Sequence, residues 1–349
     1  MEAVIKTVFH SLLQYRWVMI WSALALLAGG CGLTKFQTIP SSLPPPEPKP
    51  LVFPSFVAGV AREDESASSL AERYLRDPSK AWLVQEFNEK KVFHRGEGFV
   101  IPLEDYRKGG LTLKGFQTVP ILVYHRFSET AADEMTVTAS AFEAQMRFLR
   151  DNDFHVIPLD SLFDFMAFER QIPQKAVVIT IDDGWRSVYD IAFPILRKYG
   201  YPATLFVYTD LITGSRKALD WKHLREMAKG GLDLQCHSKT HRSLASMGAS
   251  ESFRDYFEAL ETEILESTAL IREKTGADVK YLAYPYGDTN PLVESLLIKL
   301  GFRGGLTAER KSNPFFVNPF RVGRSMIYGE FDLQRFAREL HVFDEETLD

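Results

Sequence analysis

Apolar residues follow two different periods along this chain of 349 residues. From residue 119 onward, short continuous apolar runs alternate with stretches in which apolar residues recur every three to four positions. Continuous runs are typical of buried parallel strands, and the longer period is typical of helices that cover the sheet. The predicted strands are Val119–His125, His155–Leu159, Ala176–Asp182, Ala203–Tyr208, Leu232–Cys236, Tyr281–Tyr284 and Gly304–Leu306.

The stretches between these strands predict helices. An α/β fold in which strands and helices alternate seven times is typical of a (β/α) barrel, here an incomplete barrel of seven strands. Functional side chains of such barrels gather at the carboxyl ends of the strands, so polar residues at those positions are the first candidates for a site. The predicted helices include Ser140–Asn152, Trp185–Tyr199, Trp221–Lys229, Phe253–Lys274 and Pro291–Leu300.

A smaller unit is predicted over residues 56–104. A strand at Phe56–Ala61 is followed by a helix at Ser66–Leu75, by a second helix after Asp77-Pro78, and by a strand at Phe99–Pro102. The expected order is therefore β-α-α-β. Before this unit, the proline-rich residues 32–55 predict a semi-rigid spacer.

Residues 1–31 have the pattern of a secretory signal. The apolar stretch Trp17–Leu27 follows a basic flank and is shorter than the ~20 residues that span a bilayer. Small residues that lead into Cys31 resemble the lipobox of bacterial lipoproteins, which implies acylation of this cysteine. An uncleaved anchor that starts near Val4 is the alternative. Both interpretations, the lipoprotein signal and the uncleaved anchor, predict a protein of the cell envelope that faces the periplasm or exterior. The lipid anchor favours the outer membrane.

Composition narrows the possible functions. With 45% apolar and 25% charged residues, the chain is an ordinary globular protein. Its net charge of −5 gives no basic excess, so we expect no nucleic-acid partner. Cys31 and Cys236 are the only cysteines of the sequence and cannot form a disulfide framework.

Two adjacent carboxylates, Asp182 and Asp183, end the predicted strand that starts at Ala176, and Gly184 follows them. Two such charges are costly at a strand end unless a cation neutralises them. Their side chains diverge, so one can bind a metal while the other stays free as a base. The alternative is a helix N-cap aspartate with a solvated neighbour.

Two histidines, His237 and His241, follow another predicted strand with the i, i+4 spacing. This spacing places both on one face of a helical turn, where they can converge on one ion. With one carboxylate they form a tripod for a divalent metal that leaves positions open for water and substrate. An accidental pair of histidines is the alternative.

Two further candidates follow predicted strands. His125 ends the first strand, and Tyr286 lies in the turn Ala283–Gly287, where its backbone N–H can stabilise a developing oxyanion. The alternative for this turn is a buried aromatic packing role.

The motifs that surround these residues, in their order along the chain, resemble the polysaccharide deacetylase family, the NodB-homology enzymes of carbohydrate esterase family four. Thr180–Gly184 matches the family's Thr-Phe-Asp-Asp-Gly motif, His237–His241 its His-Ser/Thr-x-x-His motif, and Tyr284–Gly287 its Pro-Tyr-Gly motif. The arginine that usually precedes the last motif is absent. His341, in a predicted late helix, belongs to no Leu-x-x-His motif. Instead, Val123–Phe127 carries a histidine ahead of the aspartates, as in the circularly permuted branch that deacetylates poly-N-acetylglucosamine.

The resemblance implies metal-dependent hydrolysis of an N-acetyl group. The implied ligands of one divalent metal are Asp183, His237 and His241. Zinc is the first choice, and cobalt, nickel or iron also suit these ligands. Asp182 would act as general base, the Tyr286 N–H would hold the oxyanion, and His125 would protonate the departing amine.

Residues 56–104 resemble a LysM carbohydrate-binding module, and a spacer without sugar contacts is the alternative. The implied partner is an N-acetylhexosamine polysaccharide, either an exopolysaccharide or peptidoglycan. Trp185, Tyr208 and Trp221 lie next to predicted strand ends and are expected to stack on sugar rings, unless they pack in the core. The protein is expected to be a monomer. A catalytically inactive glycan-binding lipoprotein is the other function class.

Overall fold

The computed structural model describes residues 49–104 and 106–346, which lie in one compact unit. The predicted signal segment 1–31 with Cys31, and most of the predicted spacer 32–55, fall outside these residues and stay predictions. Within the described ranges, no helix is both long enough and apolar enough to cross a bilayer.

Residues 51–102 form a small sheet and two helices around their own core. The helix Ala67–Leu75 begins after Ser66, whose hydroxyl accepts a hydrogen bond from the Ser69 N–H. Together with the helix Ala81–Asn88, it covers the antiparallel strands and buries Leu70 and Val84 completely. The predicted β-α-α-β elements are present in that order, with three further short strands. The strands are Leu51–Val52, Phe56–Val60 and Gly98–Pro102, with a separate pair at Glu65–Ser66 and Val92–Phe93.

The main sheet is parallel throughout and contains all seven predicted strands plus an unpredicted strand, Ser325–Met326. Val322 forms a bridge with Leu306, while Ser325–Met326 pairs with the first strand. Residues 322–326 are thus the one connection between the two edge strands of the sheet within the described residues. The fold is therefore the incomplete (β/α) barrel that the sequence predicts. In spatial order the strands are Gly304–Leu306, Tyr281–Ala283, Asp233–Cys236, Thr204–Val207, Ala176–Asp183, Ile121–Tyr124 and Ser325–Met326, and His155–Val156 pairs with the start of Ala176–Asp183.

Helices pack on the outside of this sheet around a continuous apolar core. The longest predicted helix is present with nearly the expected bounds, because Ser252 caps its start and Gly276 ends it with a left-handed backbone. The helices are Ala139–Asp151, Leu159–Met166, Phe193–Tyr199, Trp221–Lys229, Phe253–Thr275, Pro291–Lys299 and Leu333–Arg338.

Three predicted elements are wrong in part. The strand predicted over Val119–His125 breaks at Pro120, which has no N–H to donate to a sheet. The strand predicted from His155 stops at Val156, and Pro158 starts a helix that the sequence analysis missed. Trp185 is not helical, since it pairs with Ala218 in an isolated bridge.

A four-stranded antiparallel sheet lies at the amino end of the barrel, and its strand Gly115–Val119 leads directly into the first barrel strand. A π-helical turn, Val188–Ala192, replaces the first part of the helix predicted after Trp185. The strands of the antiparallel sheet are Leu111–Thr112, Gly115–Val119, Asn313–Pro314 and Phe343–Glu345, and a separate parallel pair is Arg126–Ser128 with Thr136–Thr138.

Candidate active site

Neighbouring strands of the barrel bring the predicted site residues to one edge. His125 follows Ile121–Tyr124, Asp182 and Asp183 end the adjacent strand, His237 follows Asp233–Cys236, and Tyr286 follows Tyr281–Ala283. Because these strands are parallel, their carboxyl ends face the same way. The structure thus places these residues on one face of the barrel.

Asp183, His237 and His241 form a tight cluster with the composition of a metal site. Their ligand atoms all lie within 4.8 Å of one another. The Nε2 atoms of the two histidines are 3.2 Å apart, and Asp183 Oδ1 is 3.7 Å from His237 Nε2 and 3.6 Å from His241 Nε2. Two imidazole nitrogens and one carboxylate oxygen around a shared point are a donor set that suits a divalent first-row metal.

The orientation of His237 is fixed by the backbone. Its Nδ1 lies 2.7 Å from the carbonyl oxygen of Ala283, which accepts the Nδ1–H and leaves Nε2 free as a ligand. Burial lowers the pKa of His237, although Asp182 and Asp183 raise it. The net shift is downward, which favours the neutral imidazole, the form that binds a metal.

The two histidines do not converge through a helical turn, and that prediction is wrong. Residues 237–241 form a loop in which Ser238 and His241 have positive φ angles of 71° and 66°. Non-glycine residues adopt this left-handed backbone at a cost, so the loop needs external partners. Its side-chain contacts, rather than the i, i+4 spacing, bring His241 to His237.

Asp183 is held by its neighbour in sequence. The indole N–H of Trp185 donates to Asp183 Oδ2 at 2.8 Å, so that Oδ1 faces the histidines. Asp183 itself has a φ of 78°, and a side chain at Gly184 would meet Ile212 at 2.7 Å. The sharp turn after the strand therefore requires a glycine here.

Asp182 is 2% exposed and forms a two-armed ion pair with Arg324, which sequence analysis missed. Both guanidinium nitrogens donate to its carboxylate oxygens at 2.8 Å. Burial alone would raise the pKa of Asp182, but Arg324 and His237 outweigh it and lower the pKa from 3.8 to about 2. Asp182 therefore stays ionised without a metal bond.

Arg324 lies in the unpredicted segment that closes the barrel, 142 residues from Asp182 along the chain. The one sequence feature that could have indicated it is the requirement that two buried carboxylates have a cation. That requirement does not say which of the arginines meets it.

The two histidines considered as general acid lie in different places. His125 is half-buried near the cluster, where burial lowers its pKa while Asp182 and Asp183 raise it. His341 is not in a helix, because the last helix ends at Arg338. Its carbonyl accepts from Thr118 Oγ1, beside the start of the first barrel strand, and its side chain pairs with Asp344. His341 therefore lies towards the amino end, away from the cluster.

The aromatic candidates also differ in whether they contact the cluster of Asp183, His237 and His241. Tyr208 and Tyr286 both contact the ring of His241, with centroids 5.0 and 4.8 Å away, and Tyr286 is 68% exposed. Trp185 bonds to Asp183 as described. Trp221 starts a helix and packs against the apolar core. Three of the four aromatic rings thus line the cluster, and Trp221 stays a prediction without such a contact.

Part of this chain is similar to known proteins. Residues 169–305 match the family model described as polysaccharide deacetylase. A Bacillus subtilis protein, YxkH, named only provisionally as a polysaccharide deacetylase, is 28% identical over 191 residues, which are 55% of this chain and 64% of that protein. The chain thus spans just under two thirds of that relative's length.

Another relative is the poly-β-1,6-N-acetyl-D-glucosamine N-deacetylase of Staphylococcus epidermidis, 28% identical over 217 residues, which are 60% of this chain and 74% of that enzyme. Among solved structures, the Streptococcus pyogenes deacetylase PplD in complex with acetate has the same fold. It superposes with a TM-score of 0.58 at 23% identity and covers 64% of this chain and 98% of the other. Residues 169–305 are therefore similar to the polysaccharide deacetylase family, and the chain shares the fold of this solved deacetylase.

Proposed function

We propose that this protein is a metal-dependent hydrolase that removes acetyl groups from the N-acetylglucosamine units of a polysaccharide. The observation that carries the proposal is the approach of Asp183, His237 and His241 to one another beside a second carboxylate, Asp182, which Arg324 holds through both oxygens. The Staphylococcus epidermidis relative, named for acting on poly-β-1,6-N-acetyl-D-glucosamine, favours an exopolysaccharide substrate. Peptidoglycan is the second substrate class.

We assign the metal to Asp183, His237 and His241, with zinc as first choice. The support is that these residues offer one carboxylate oxygen and two Nε2 atoms, each oriented by a second hydrogen bond or by its loop. When bound, a divalent metal supplies Lewis-acid chemistry at the acetamide and makes water easier to deprotonate.

The protein's own residues would then move the protons. Asp182, held by Arg324, would accept the proton of the attacking water as general base. The backbone N–H of Tyr286 would stabilise the negative charge that develops on the acetamide oxygen. His125 would give a proton to the departing amine. The products are acetate and a glucosamine unit.

An active enzyme is favoured over an inactive glycan-binding protein because the complete set of proposed groups is present around one point. We also propose that the LysM-like unit contacts the glycan, that Trp185, Tyr208 and Trp221 stack on its sugar rings, and that Cys31 anchors the protein at the cell envelope. These assignments are supported by sequence pattern alone, apart from the ring contacts of Tyr208 and the indole bond of Trp185.

The test is acetate release by the full-length protein from β-1,6-linked N-acetylglucosamine oligomers, chitin oligomers and peptidoglycan. We expect release from the β-1,6-linked oligomers, loss of release with a chelator, and recovery with zinc, cobalt, nickel or iron. Glycan binding without acetate release, at any metal concentration, would favour the inactive binding protein. Release that a chelator does not change would contradict the metal assignment.

A further inference from the structure

Glu263 is a buried carboxylate that forms no ion pair within the described residues. It lies in the middle of the helix Phe253–Thr275 and is 4% exposed. A carboxylate in such surroundings is unfavourable unless hydrogen bonds compensate for the lost water. The hydrogen-bond donors to the Glu263 carboxylate therefore indicate its role.

All the hydrogen bonds that the Glu263 carboxylate accepts come from the loop between the two histidines. The backbone N–H groups of Lys239 and Thr240 both donate to Oε2 at 2.9 Å. The hydroxyl of Thr240 donates to Oε1 at 2.6 Å. One side chain thus binds two consecutive residues of the loop from the helix behind it.

These bonds act on the part of the loop that is strained. Ser238 and His241, which flank Lys239 and Thr240, are the residues with positive φ. Apart from Glu263, the His241 N–H donates to Ser238 Oγ at 3.0 Å, and the N–H groups of Thr209 and Asp210 donate to the carbonyls of Ser238 and Lys239. Without the carboxylate, two N–H groups lose their acceptor and the left-handed backbone has less to hold it.

We propose that Glu263 is a positioning residue, which holds the loop so that His241 Nε2 meets His237 Nε2 and Asp183. Its consequence for metal binding rests on the proposed function. Glu263 itself touches neither the proposed metal ligands nor a place for substrate. It acts through Lys239 and Thr240.

The helix offers a matched control, Glu266. It lies one turn further along and binds the same loop residue, but through the ammonium group of Lys239 at 2.7 Å on the exposed surface. Glu266→Gln therefore removes a charge near the loop and leaves its backbone contacts intact. Glu263→Gln keeps an oxygen for both N–H groups and an amide that can donate to the Thr240 hydroxyl, whereas Glu263→Ala keeps nothing.

The experiment uses the full-length protein after treatment with a chelator. Two quantities are measured: the affinity for added zinc by calorimetry, and the amide exchange of Lys239 and Thr240 in the metal-free state. We expect Glu263→Ala to weaken zinc binding by about 10- to 100-fold and to accelerate both amides. Glu263→Gln should stay within about threefold of the wild type, and Glu266→Gln should match it. Saturating zinc should restore the kcat of Glu263→Ala with an unchanged KM.

Wild-type zinc affinity together with wild-type exchange in Glu263→Ala would overturn the proposal. If this variant does not fold, Thr240→Val decides, since it removes only the hydroxyl bond to Oε1. It should weaken zinc binding several-fold, and an unchanged affinity would also overturn the proposal. A wild type that binds no zinc defeats the proposed metal site, while the exchange of the two amides still shows whether Glu263 holds the loop.

Discussion

The two ends of the barrel differ in how their carboxylates are paired with cationic side chains. At the amino end, Asp160 and Asp164 face Lys280 and Arg303. Lys280 Nζ is 2.7 Å from Asp160, and an Arg303 nitrogen is 3.0 Å from Asp164. Arg303 also reaches Asp160 at 3.5 Å, and Arg170 lies 3.5 Å from Asp164, so a network of bases neutralises both acids within the protein. At the carboxyl end, Asp182 pairs with an arginine, and within the described residues no lysine or arginine pairs with Asp183.

That arginine, Arg324, binds Asp182 with both arms, while Asp183 has only an indole N–H and two histidines around it. The backbone at this end is also strained, since Asp183, His241 and Tyr286 all have positive φ. Strain and unbalanced charge persist only where the surrounding structure enforces them, and they are typical of functional sites. The difference predicts that substitutions at the carboxyl end reduce turnover, whereas those at the amino end do not.

The largest effect is expected for Asp182→Asn. The amide keeps the shape of the side chain and leaves the Asp183, His237 and His241 cluster in place, but it cannot accept the proton of water. Acetate release should fall by at least about 10²-fold, with unchanged zinc content by elemental analysis. Near-wild-type turnover would remove Asp182 as the base.

His125→Ala should have the next largest effect, a loss on the order of 10²-fold, because the amine is a poor leaving group without a proton donor. The pH profile gives the sharper readout. An acid must be protonated, so activity through His125 falls as pH rises through its pKa, which burial holds below the ordinary value of 6.5 against the opposing effect of Asp182. The alkaline limb of kcat/KM should therefore disappear in the variant while zinc affinity is kept.

Arg324→Met should reduce turnover less than these changes and stability more. It leaves the buried carboxylate of Asp182 without a cation, which costs about 3–5 kcal/mol in the free energy of unfolding. In the wild type, the lowered pKa means that the ion pair's contribution is complete above pH 3.8 and is lost as pH falls through about 2. In the variant the carboxyl group is buried and unpaired, so its destabilisation should shrink as acid protonates it.

A double variant tests this explanation of the Arg324 effect. Asp182→Asn combined with Arg324→Met removes the uncompensated charge, so its free energy of unfolding in urea at pH 7 should exceed that of Arg324→Met alone. A double variant less stable than either single variant would mean that packing of the Arg324 side chain, and not charge, sets its contribution.

How far the sequence could predict this site depends on how each residue is positioned. His125, Asp182 and Asp183 follow continuous apolar runs, and the geometry of parallel strands then brings them together without further information. Arg324 could not be found in this way. It precedes a strand of only two residues, which has no recognisable period, and its partner lies in a distant strand.

The histidine loop shows the same limit at a smaller scale. The sequence predicts that His237 and His241 converge, but the spacing alone suggests a helical turn, and the structure has a loop held by Glu263 from another helix. A side chain more than twenty residues away sets the backbone there. Local spacing therefore predicts correctly that the two histidines lie together, but it predicts the wrong backbone conformation between them.

The smallest effect is expected for His341→Ala, the histidine at the amino end. Its imidazole bonds to Asp344 at 2.6 Å and is more than half exposed, and such surface pairs contribute about 0–1 kcal/mol to stability. Its backbone carbonyl, which accepts from Thr118 Oγ1, is unaffected by the substitution. We therefore expect acetate release within about twofold of the wild type, measured beside His125→Ala under the same conditions, and an unchanged pH profile. If His341→Ala loses as much turnover as His125→Ala, the general acid comes from the other end of the chain, and the contrast between the two ends of the barrel no longer explains which histidine acts.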